Sequence, residues 1–258
     1  MLDIINAQLV LDKKIIFENI HFSSGPGKLH LILGSNGAGK SSLIKCISSQ
    51  IKLTGGEILF ENNSIHSFSL EEQSRFRAVL SQENEISFPL TVSEIVMMGR
   101  SPYFEWSPSL FDFQVVNETM EMLGIQSFAD RNYFTLSGGE KQRVHFARVL
   151  AQILDIENKQ SKLLLLDEPL TYLDILYQHN FMKIVKKLLV GIENLHIVGV
   201  LHDLNLSSKY ADELTLLRNG KLIASGLKRD VLTHENLMAT YDMPPKIINI
   251  EEEVFITF

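Results

Sequence analysis

One short stretch of the chain has the composition and spacing of a phosphate-binding loop. Residues 34–41 read GSNGAGKS, which satisfies the pattern G-x-x-x-x-G-K-[ST], and an apolar stretch precedes them. The glycines let the backbone curl so that successive N–H groups point at phosphate oxygens, and the helix expected next adds the positive end of its dipole. A glycine-rich turn with a surface lysine is the alternative, which the strand-to-helix context disfavours. The residues predicted to contact nucleotide here are Gly34, Ser35, Asn36, Gly37, Ala38, Gly39, Lys40, Ser41 and Ser42.

Two adjacent carboxylates close another apolar stretch. Asp167 and Glu168 follow four consecutive leucines at residues 163–166. Asp167 is placed to hold Mg²⁺ directly or through water, and the Ser41 hydroxyl is the second predicted ligand. Glu168 projects differently and is placed to orient and polarise the water that attacks the γ-phosphate. The alternative is a solvated acidic pair at a strand end. This alternative is disfavoured because the phosphate-binding loop is expected on a neighbouring strand.

Two further polar side chains follow apolar stretches. Gln82 comes after residues 78–80, and His202 after residues 197–201. Ligands of open α/β sheets bind outside the carboxyl ends of the strands, so both side chains are expected in the same crevice as the loop and the carboxylates. Gln82 is predicted to reach Mg²⁺ or the water, and His202 the γ-phosphate. A lone Gln or His at a strand end is usually a loop contact, so the joint placement carries this hypothesis.

The elements that must position these residues alternate between strands and helices. The strand stretches, including residues 29–33, are continuously apolar, as burial on both faces of a parallel sheet requires. Between them lie stripes of apolar residues at helical spacing. The chain is therefore predicted to be α/β with a mostly parallel core sheet. The opening fifty residues and residues 54–60 are predicted to contribute antiparallel strands beside it. Helical stripes are formed by Val144, Ala147, Leu150, Ala151 and Leu154, and by Phe181, Ile184, Val185, Leu188 and Leu189.

Domain boundaries are predicted from where the strand pattern stops. Residues 88–135 lack strong strand signals and are interpreted as an inserted helical subdomain. The core is assigned to about 1–87 and 136–240, and residues 241–258 form a short closing segment, too small for a regulatory domain. The whole chain, 1–258, is thus predicted to be one domain.

Composition narrows the classes of partner. The 258 residues carry a formal net charge of −7 with no basic stripe, which disfavours nucleic acid as a partner. The one cysteine, Cys46, excludes an internal disulfide and is expected to be a core side chain. No apolar run approaches the roughly 20 residues that span a bilayer, and the amino terminus does not resemble a signal peptide. The chain is predicted to be cytoplasmic and to reach a membrane through a partner.

A second phosphate-binding element stands at residues 136–140, LSGGE, followed by KQR. Ser137 is expected to cap a helix, and Gly138 and Gly139 allow close approach of a phosphate. The sequence resembles the signature of ABC ATPases. Because the first loop already has its own helix terminus, this one needs another phosphate, which the resemblance places on ATP bound to a second copy of the chain. It therefore implies a homodimer; an ordinary capped helix is the alternative.

The resemblance to ABC ATPases covers nearly the whole chain. It implies a P-loop NTPase fold of the ABC ATPase type with an antiparallel β subdomain, and ATP and Mg²⁺ as ligands. Gln82 matches the Q-loop and His202 the switch histidine. Residues 168–174, EPLTYLD, resemble the D-loop segment EPTSALD, which assigns Asp174 to the nucleotide site. Three residues depart from that segment, namely Leu170, Thr171 and Tyr172.

A further departure concerns the base. Many ABC ATPases stack adenine on an aromatic side chain about 29 residues before the P-loop lysine, and Leu11 stands there in this chain. Aliphatic packing is weaker than an aromatic stack, so loose discrimination between purines is expected.

Several stretches are similar to ATPases of bacterial haem importers and of their relatives for iron-siderophores and cobalamin. Residues 91–103 look like TVxEVVxxGRxPH, residues 147–152 precede a polar insertion at 155–162, and residues 201–206 continue the match. The resemblance implies ATP-driven haem import across the cytoplasmic membrane, with the chain on its cytoplasmic face. Two integral-membrane permease subunits and, indirectly, a periplasmic substrate-binding protein are the implied partners. Siderophore or cobalamin import is the alternative, followed by export, because the permease largely sets direction.

An aromatic-rich segment lies within residues 88–135. It is expected to be either part of the permease dock or subdomain core, since aromatic side chains serve both purposes. The aromatic residues of the segment are Tyr103, Phe104, Trp106, Phe111 and Phe113.

A DNA-repair ATPase is disfavoured because Lys40 and Ser137 are only 97 residues apart, too few for a long coiled coil and the sheet.

Overall fold

The structure is a computed structural model that describes residues 1–81, 86–154, 160–171, 173–250 and 253–258. Gln82, Tyr172 and residues 155–159 of the polar insertion lie outside the described residues, so the expectations for them stay predictions. Within the described ranges, no helix is both long enough and apolar enough to cross a bilayer.

The chain forms twelve described strands and nine described α-helices. The strands are β1 (Leu2–Leu11), β2 (Lys14–Ser24), β3 (Leu29–Gly34), β4 (Gly55–Phe60), β5 (Asn63–Ser64), β6 (Arg77–Leu80), β7 (Lys162–Asp167), β8 (Leu195–Val200), β9 (Glu213–Arg218), β10 (Lys221–Leu227), β11 (Lys246–Ile250) and β12 (Glu253–Thr257). The helices are α1 (Lys40–Ile47), α2 (Leu70–Phe76), α3 (Val92–Met97), α4 (Leu110–Met122), α5 (Gly138–Ile153), α6 (Ile175–Gly191), α7 (Leu204–Tyr210), α8 (Lys228–Val231) and α9 (His234–Tyr241). Short 3₁₀ helices cover Ile65–Ser67, Met98–Tyr103, Gln126–Phe128 and Tyr133–Thr135.

The core sheet has six strands in the order β10-β9-β3-β8-β7-β6. All neighbours pair in parallel except β10, which runs antiparallel to β9. Leu31 and Leu33 belong to one buried cluster and Ile32 to another, so β3 is covered on both faces. This confirms the predicted α/β class and the reason given for continuous apolarity. One detail was wrong: β8 lies between β3 and β7, so the loop and the carboxylates are not on adjacent strands.

A second, antiparallel sheet has the order β2-β1-β4-β5 and packs against the core through β2. The backbone N–H of Glu18 donates to the carbonyl of Gly220 at 2.9 Å, which joins the two sheets. Phe17 and Phe22 of β2 share a buried cluster with α1 residues such as Leu43. The antiparallel β subdomain of the predicted fold is therefore present. Of the opening fifty residues, however, only β1 and β2 belong to it, because β3 pairs in parallel within the core sheet and α1 is a helix.

Residues 88–135 contain α3, α4 and three of the 3₁₀ helices. The helices α3, α4 and α5 each begin with a reciprocal capping box, formed by Thr91 with Glu94, Ser109 with Asp112, and Ser137 with Glu140.

A buried ion pair fastens this helical segment to α5. The Arg100 Nε donates to Asp112 Oδ1 at 2.8 Å, and its Nη1 donates to the carbonyls of Ala151 and Leu154 at 2.8 and 2.9 Å. Arg100 is 1% exposed, and its guanidinium lies over the Tyr103 ring at 3.8 Å. Removing one partner of such a pair costs about 3–5 kcal/mol, so the contact holds the segment in place.

The closing segment is a β-hairpin, β11-β12, which packs on α7. The Asn205 side chain binds both backbone groups of Ile256: its Nδ2 donates to the carbonyl at 3.2 Å, and its Oδ1 accepts from the N–H at 2.7 Å. The carboxyl terminus is thereby tied to the helix that follows His202.

A buried histidine on α5 makes folding stability depend on pH. The His145 Nε2 lies 2.7 Å from the Tyr133 hydroxyl, and its Nδ1 has no hydrogen-bond partner. Burial, then the positive charges of Arg148 and Lys141, lowers the pKa of His145 to about 4. The unfolded chain takes up this proton near pH 6.5. The stabilising effect of the neutral ring is therefore complete above pH 6.5 and is lost as the pH falls toward 4.

We expect this histidine to lower the free energy of unfolding by about 2 kcal/mol between pH 7 and pH 5. Urea unfolding of the wild type and of His145→Gln at both pH values measures it, since glutamine keeps a partner for Tyr133 but does not titrate. His30 and His196, whose pKa values are also lowered first by burial, stay in both proteins, so the difference isolates His145. Equal pH dependence of the two proteins would contradict the assignment.

Candidate nucleotide site

The phosphate-binding loop connects β3 to α1 at the carboxyl edge of the core sheet. Gly34 has a φ of 150°, and a Cβ on it would collide with the backbone carbonyl of Leu217. Gly39 has a φ of 93° and occupies the N-cap position of α1 without a side-chain cap. The first amides of α1 thus have no capping side chain, which leaves them to an anion.

Lys40 crosses the loop from the first turn of α1. Its Nζ donates to the carbonyls of Gly34 and Ser35 at 2.9 and 3.0 Å, and the residue is 5% exposed. Burial lowers the pKa of Lys40, while the charges of Glu168 and Asp167 act in the opposite direction. The lysine, the loop and both carboxylates therefore form one electrostatic unit, although they come from different strands.

Asp167 and Ser41 together offer oxygen ligands for a hard cation. Asp167 ends β7 and is buried, and the Ser41 hydroxyl is hydrogen-bonded to it. Burial raises the pKa of Asp167; the Ser41 bond opposes this and the charge of Glu168 adds to it. The Asp167 Oδ1 is buried without a hydrogen-bond partner. An unpartnered carboxylate oxygen beside a hydroxyl fits a magnesium ion, which takes oxygen ligands and relieves the buried charge.

Glu168 is held in an unusual backbone conformation that brings it to His202. Its φ is 52°, in the left-handed region, and its N–H donates to the carbonyl of Val200 at 3.2 Å. The Thr171 Oγ1 donates to the Glu168 carbonyl at 3.1 Å. The Glu168 Oε1 lies 2.7 Å from His202 Nε2. A non-glycine residue with positive φ costs roughly 1–3 kcal/mol, so the neighbouring contacts must hold this conformation against strain.

Both side chains line a cleft of about 200 Å³. Glu168 is mostly buried, whereas His202 is 48% exposed. The pair can hold a water by one carboxylate oxygen and contact an incoming phosphate by the imidazole.

The LSGGE segment lies at the exposed start of α5. The Ser137 Oγ accepts from the Glu140 N–H at 3.3 Å, the Glu140 Oε2 accepts from the Ser137 N–H at 2.7 Å, and Gly138 is exposed. One turn later, the Gln142 Nε2 donates to the carbonyl of Pro169 at 2.9 Å. The signature helix is thus connected to the segment that follows the catalytic carboxylate candidate.

Asp174 begins α6. Its Oδ1 accepts from the Tyr177 N–H at 2.9 Å, which makes it a helix N-cap. The next three side chains, Ile175, Leu176 and Tyr177, are exposed by 74%, 66% and 41%. An exposed apolar group beside a predicted nucleotide residue is typical of an interface.

Comparison with known proteins decides the family. A family model described as ABC transporter matches residues 17–171. The hemin import ATP-binding protein HmuV of Methylobacillus flagellatus is 37% identical over 249 residues, which cover 96% of this chain and 92% of the relative. This chain belongs to the ABC transporter family, as an ATP-binding subunit. The predicted family, its fold and its ATPase activity are confirmed.

Further relatives of this ABC ATPase agree. HmuV of Gloeobacter violaceus is 39% identical over 220 residues, with 85% of this chain and 79% of the relative covered. An inward-facing metal-chelate type ABC transporter has a TM-score of 0.81 at 26% identity, with 99% and 95% of the two chains covered. A dimeric bacterial ABC transporter cassette, MJ0796, has a TM-score of 0.75 at 25% identity, with 89% and 99% covered.

Two residues that lie beside the phosphate-binding loop of this ABC ATPase were not predicted from the sequence. The Tyr241 hydroxyl is hydrogen-bonded to the backbone of Gly34, and burial raises the pKa of Tyr241 to about 12. The Ile16 side chain lies close to Gly39, whereas Leu11, the residue expected against adenine, is 39% exposed at the end of β1. Only tertiary contact identifies Tyr241 and Ile16, because neither stands at a recognisable spacing from the loop.

Proposed function

We propose that this ABC ATPase drives haem import at the cytoplasmic face of the cell membrane. The proposed cargo rests on the name shared by the similar relatives, hemin import ATP-binding protein, which are 34–39% identical over most of the chain. A haem is a metal chelate, and the structural likeness to a metal-chelate type transporter supports the same class of cargo.

In the proposed mechanism, the loop amides and Lys40 bind the β- and γ-phosphates of ATP. Ser41 and Asp167, with Gln82 as a predicted third ligand, would hold Mg²⁺, which when bound neutralises phosphate oxygens and orients the terminal phosphate. Glu168 accepts the proton of the attacking water, and His202 contacts the γ-phosphate.

The proposed site is completed by a second copy of the chain. The exposed Ser137, Gly138 and adjoining Gly139 present a helix N-terminus, the kind of group that binds a phosphate. Asp174 and the exposed apolar residues that begin α6 extend the same contact. The dimeric form of a similar cassette supports this arrangement. Closure of the dimer on ATP and its reopening after hydrolysis would then move the permease.

We assign the permease dock to the exposed part of the aromatic-rich segment. Tyr103 lies against Arg100, and Phe111 packs against the core, so these two half-buried side chains face the subdomain. Trp106 and Phe113 are 94% and 51% exposed. Five more large apolar side chains of residues 88–135 are exposed, namely Phe88, Met98, Leu110, Met122 and Phe134. Exposed aromatic residues in such number favour a protein partner.

Reconstituted transport tests the proposed cargo. The complete transporter, isolated through a tag on this chain with the permeases that co-purify, is placed in liposomes that enclose ATP, with the substrate-binding protein outside. We expect haem uptake that requires enclosed ATP and is lost with Glu168→Gln. Uptake of a ferric siderophore or of cobalamin without uptake of haem would overturn haem as the cargo.

A further inference from the structure

A groove separates the helical segment from the core on the side of α6. Its volume is about 620 Å³, within the range of roughly 300–1,000 Å³ that holds small organic ligands. Its lining is mainly apolar and comes from both sides of the boundary: Met122, Leu123, Phe146, Leu173, Phe181 and Ile184. The nucleotide site lies elsewhere, since none of its predicted residues lines this groove.

The charged part of this lining is basic. Arg143, Lys183, Lys186 and Lys187 line the groove, and no acidic side chain of the described residues does, although the chain as a whole has a net charge of −7. Lys186 is paired with Asp212 at 2.8 Å. Lys183 and Lys187 are exposed and, within the part of the chain that the structure describes, form no ion pair. Two cations one helical turn apart are therefore available to an acidic ligand.

Arg143 is engaged in holding the two walls together. Its Nη1 donates to the carbonyls of Leu123 and Gly124 at 3.4 and 3.3 Å, and its guanidinium lies 5.0 Å from the centre of the Tyr177 ring on α6. A molecule in the groove would therefore contact the end of α4, the first turns of α5 and the outer face of α6 together.

This position couples the groove to the ATPase site. The helix α5 starts at Gly138 of the signature, and Gln142 and Arg143 line the groove one turn later. Leu173, also in the lining, immediately precedes Asp174. A ligand that bridges α5 and α6 would restrain the signature helix against the segment that follows Glu168.

We propose that this groove is a regulatory site for an elongated apolar molecule with one acidic group, of the class of a free long-chain carboxylate. The tail packs against Phe146, Phe181 and Ile184, and the carboxylate pairs with Lys183 and Lys187. Occupancy slows ATP turnover because it fixes α5 relative to α6. The complementary charge separates this occupant from a neutral apolar molecule.

Fluorescence titration with dansylaminoundecanoic acid tests the site on the nucleotide-free chain, so it does not depend on the proposed transport function. We expect saturable binding, with the methyl ester of the probe binding about five- to tenfold more weakly. The double variant Lys183→Gln, Lys187→Gln should bind the acid as weakly as the ester. The matched control, Lys52→Gln with Arg229→Gln, removes the same charge at exposed positions outside the groove and should leave the dissociation constant unchanged.

A variant with a larger side chain in the groove tests where the apolar tail of the ligand binds. Ile184→Trp should abolish binding of acid and ester alike, while circular dichroism and ATP binding show that the chain is folded. Equal binding of acid and ester, or unchanged binding by the lysine double variant, would overturn the proposal. Acid that saturates the wild type should also lower its ATP turnover at least about twofold, and the lysine double variant should need about five- to tenfold more acid for the same loss. Binding without this change would overturn the regulatory role.

Discussion

Glu168→Gln is expected to lower ATP turnover by roughly 10²- to 10⁴-fold and to leave ATP binding intact, because general-base catalysis contributes about that factor. The glutamine keeps the size of the side chain and a carbonyl oxygen for the contact with His202, which lies at 2.7 Å in the wild type. It cannot take the proton of the attacking water. The backbone contact of residue 168 with Val200 is unchanged by the substitution, so the fold should persist.

The same variant should accumulate as an ATP-bound dimer. Size-exclusion chromatography with ATP and Mg²⁺ is expected to show a dimer of the variant and a smaller dimer fraction for the wild type, which hydrolyses its ligand. Glu121→Gln makes the same chemical change at an exposed helix position and should behave as the wild type. Normal hydrolysis by Glu168→Gln would remove Glu168 from the role of base.

Ser137→Arg is expected to abolish ATP-dependent dimerisation and to lower turnover at least about a hundredfold, with ATP binding by the single chain preserved. The arginine removes the Ser137 cap of α5, and its positive charge and length stand where a phosphate of the second copy is proposed to bind. Loss of the cap alone costs only about 1 kcal/mol of stability, too little to explain such a loss of activity.

A matched variant separates the two effects. Ser69 and Glu72 form the same capping box at the start of α2, and Ser69 is exposed. Ser69→Arg should therefore cost similar stability and keep dimerisation and turnover. Mixing Ser137→Arg with Lys40→Ala should restore part of the turnover, since one of the two sites of a mixed dimer then combines an intact loop with an intact signature. A fully active Ser137→Arg protein would overturn the shared-site model.

The structure divides the aromatic-rich segment in a way that its sequence left open. From the sequence alone, each of the five aromatic residues could belong either to a core or to an interface. Packing against Arg100 and α5 takes Tyr103 and Phe111 inward, while Trp106 stays 94% exposed. Which side chain turns inward depends on the path of the 3₁₀ helix and of α4, and the Arg100 ion pair with Asp112 joins these two elements.

The order of the strands in the core sheet also could not be predicted from the sequence. The sequence predicts parallel strands and polar residues at their carboxyl ends, since continuous apolarity and strand-end chemistry are local patterns. It contains no local signal for the insertion of β8 between β3 and β7. That strand order brings His202 beside Glu168, because β8 ends next to β7. Only the structure of the sheet reveals the order.

By itself, the amino-acid sequence determined the family, the α/β class, the phosphate-binding loop, the carboxylate pair and the signature. Each of these requires particular residue types at short, constant spacing, because backbone amides, a lysine or a carboxylate must meet one ligand. Only the tertiary structure decided the strand order, the left-handed backbone of Glu168, the contact of Tyr241 with Gly34 and the basic groove beside α6. These features depend on packing between residues far apart in the chain, where side-chain shape selects the contact and no spacing in the sequence marks it.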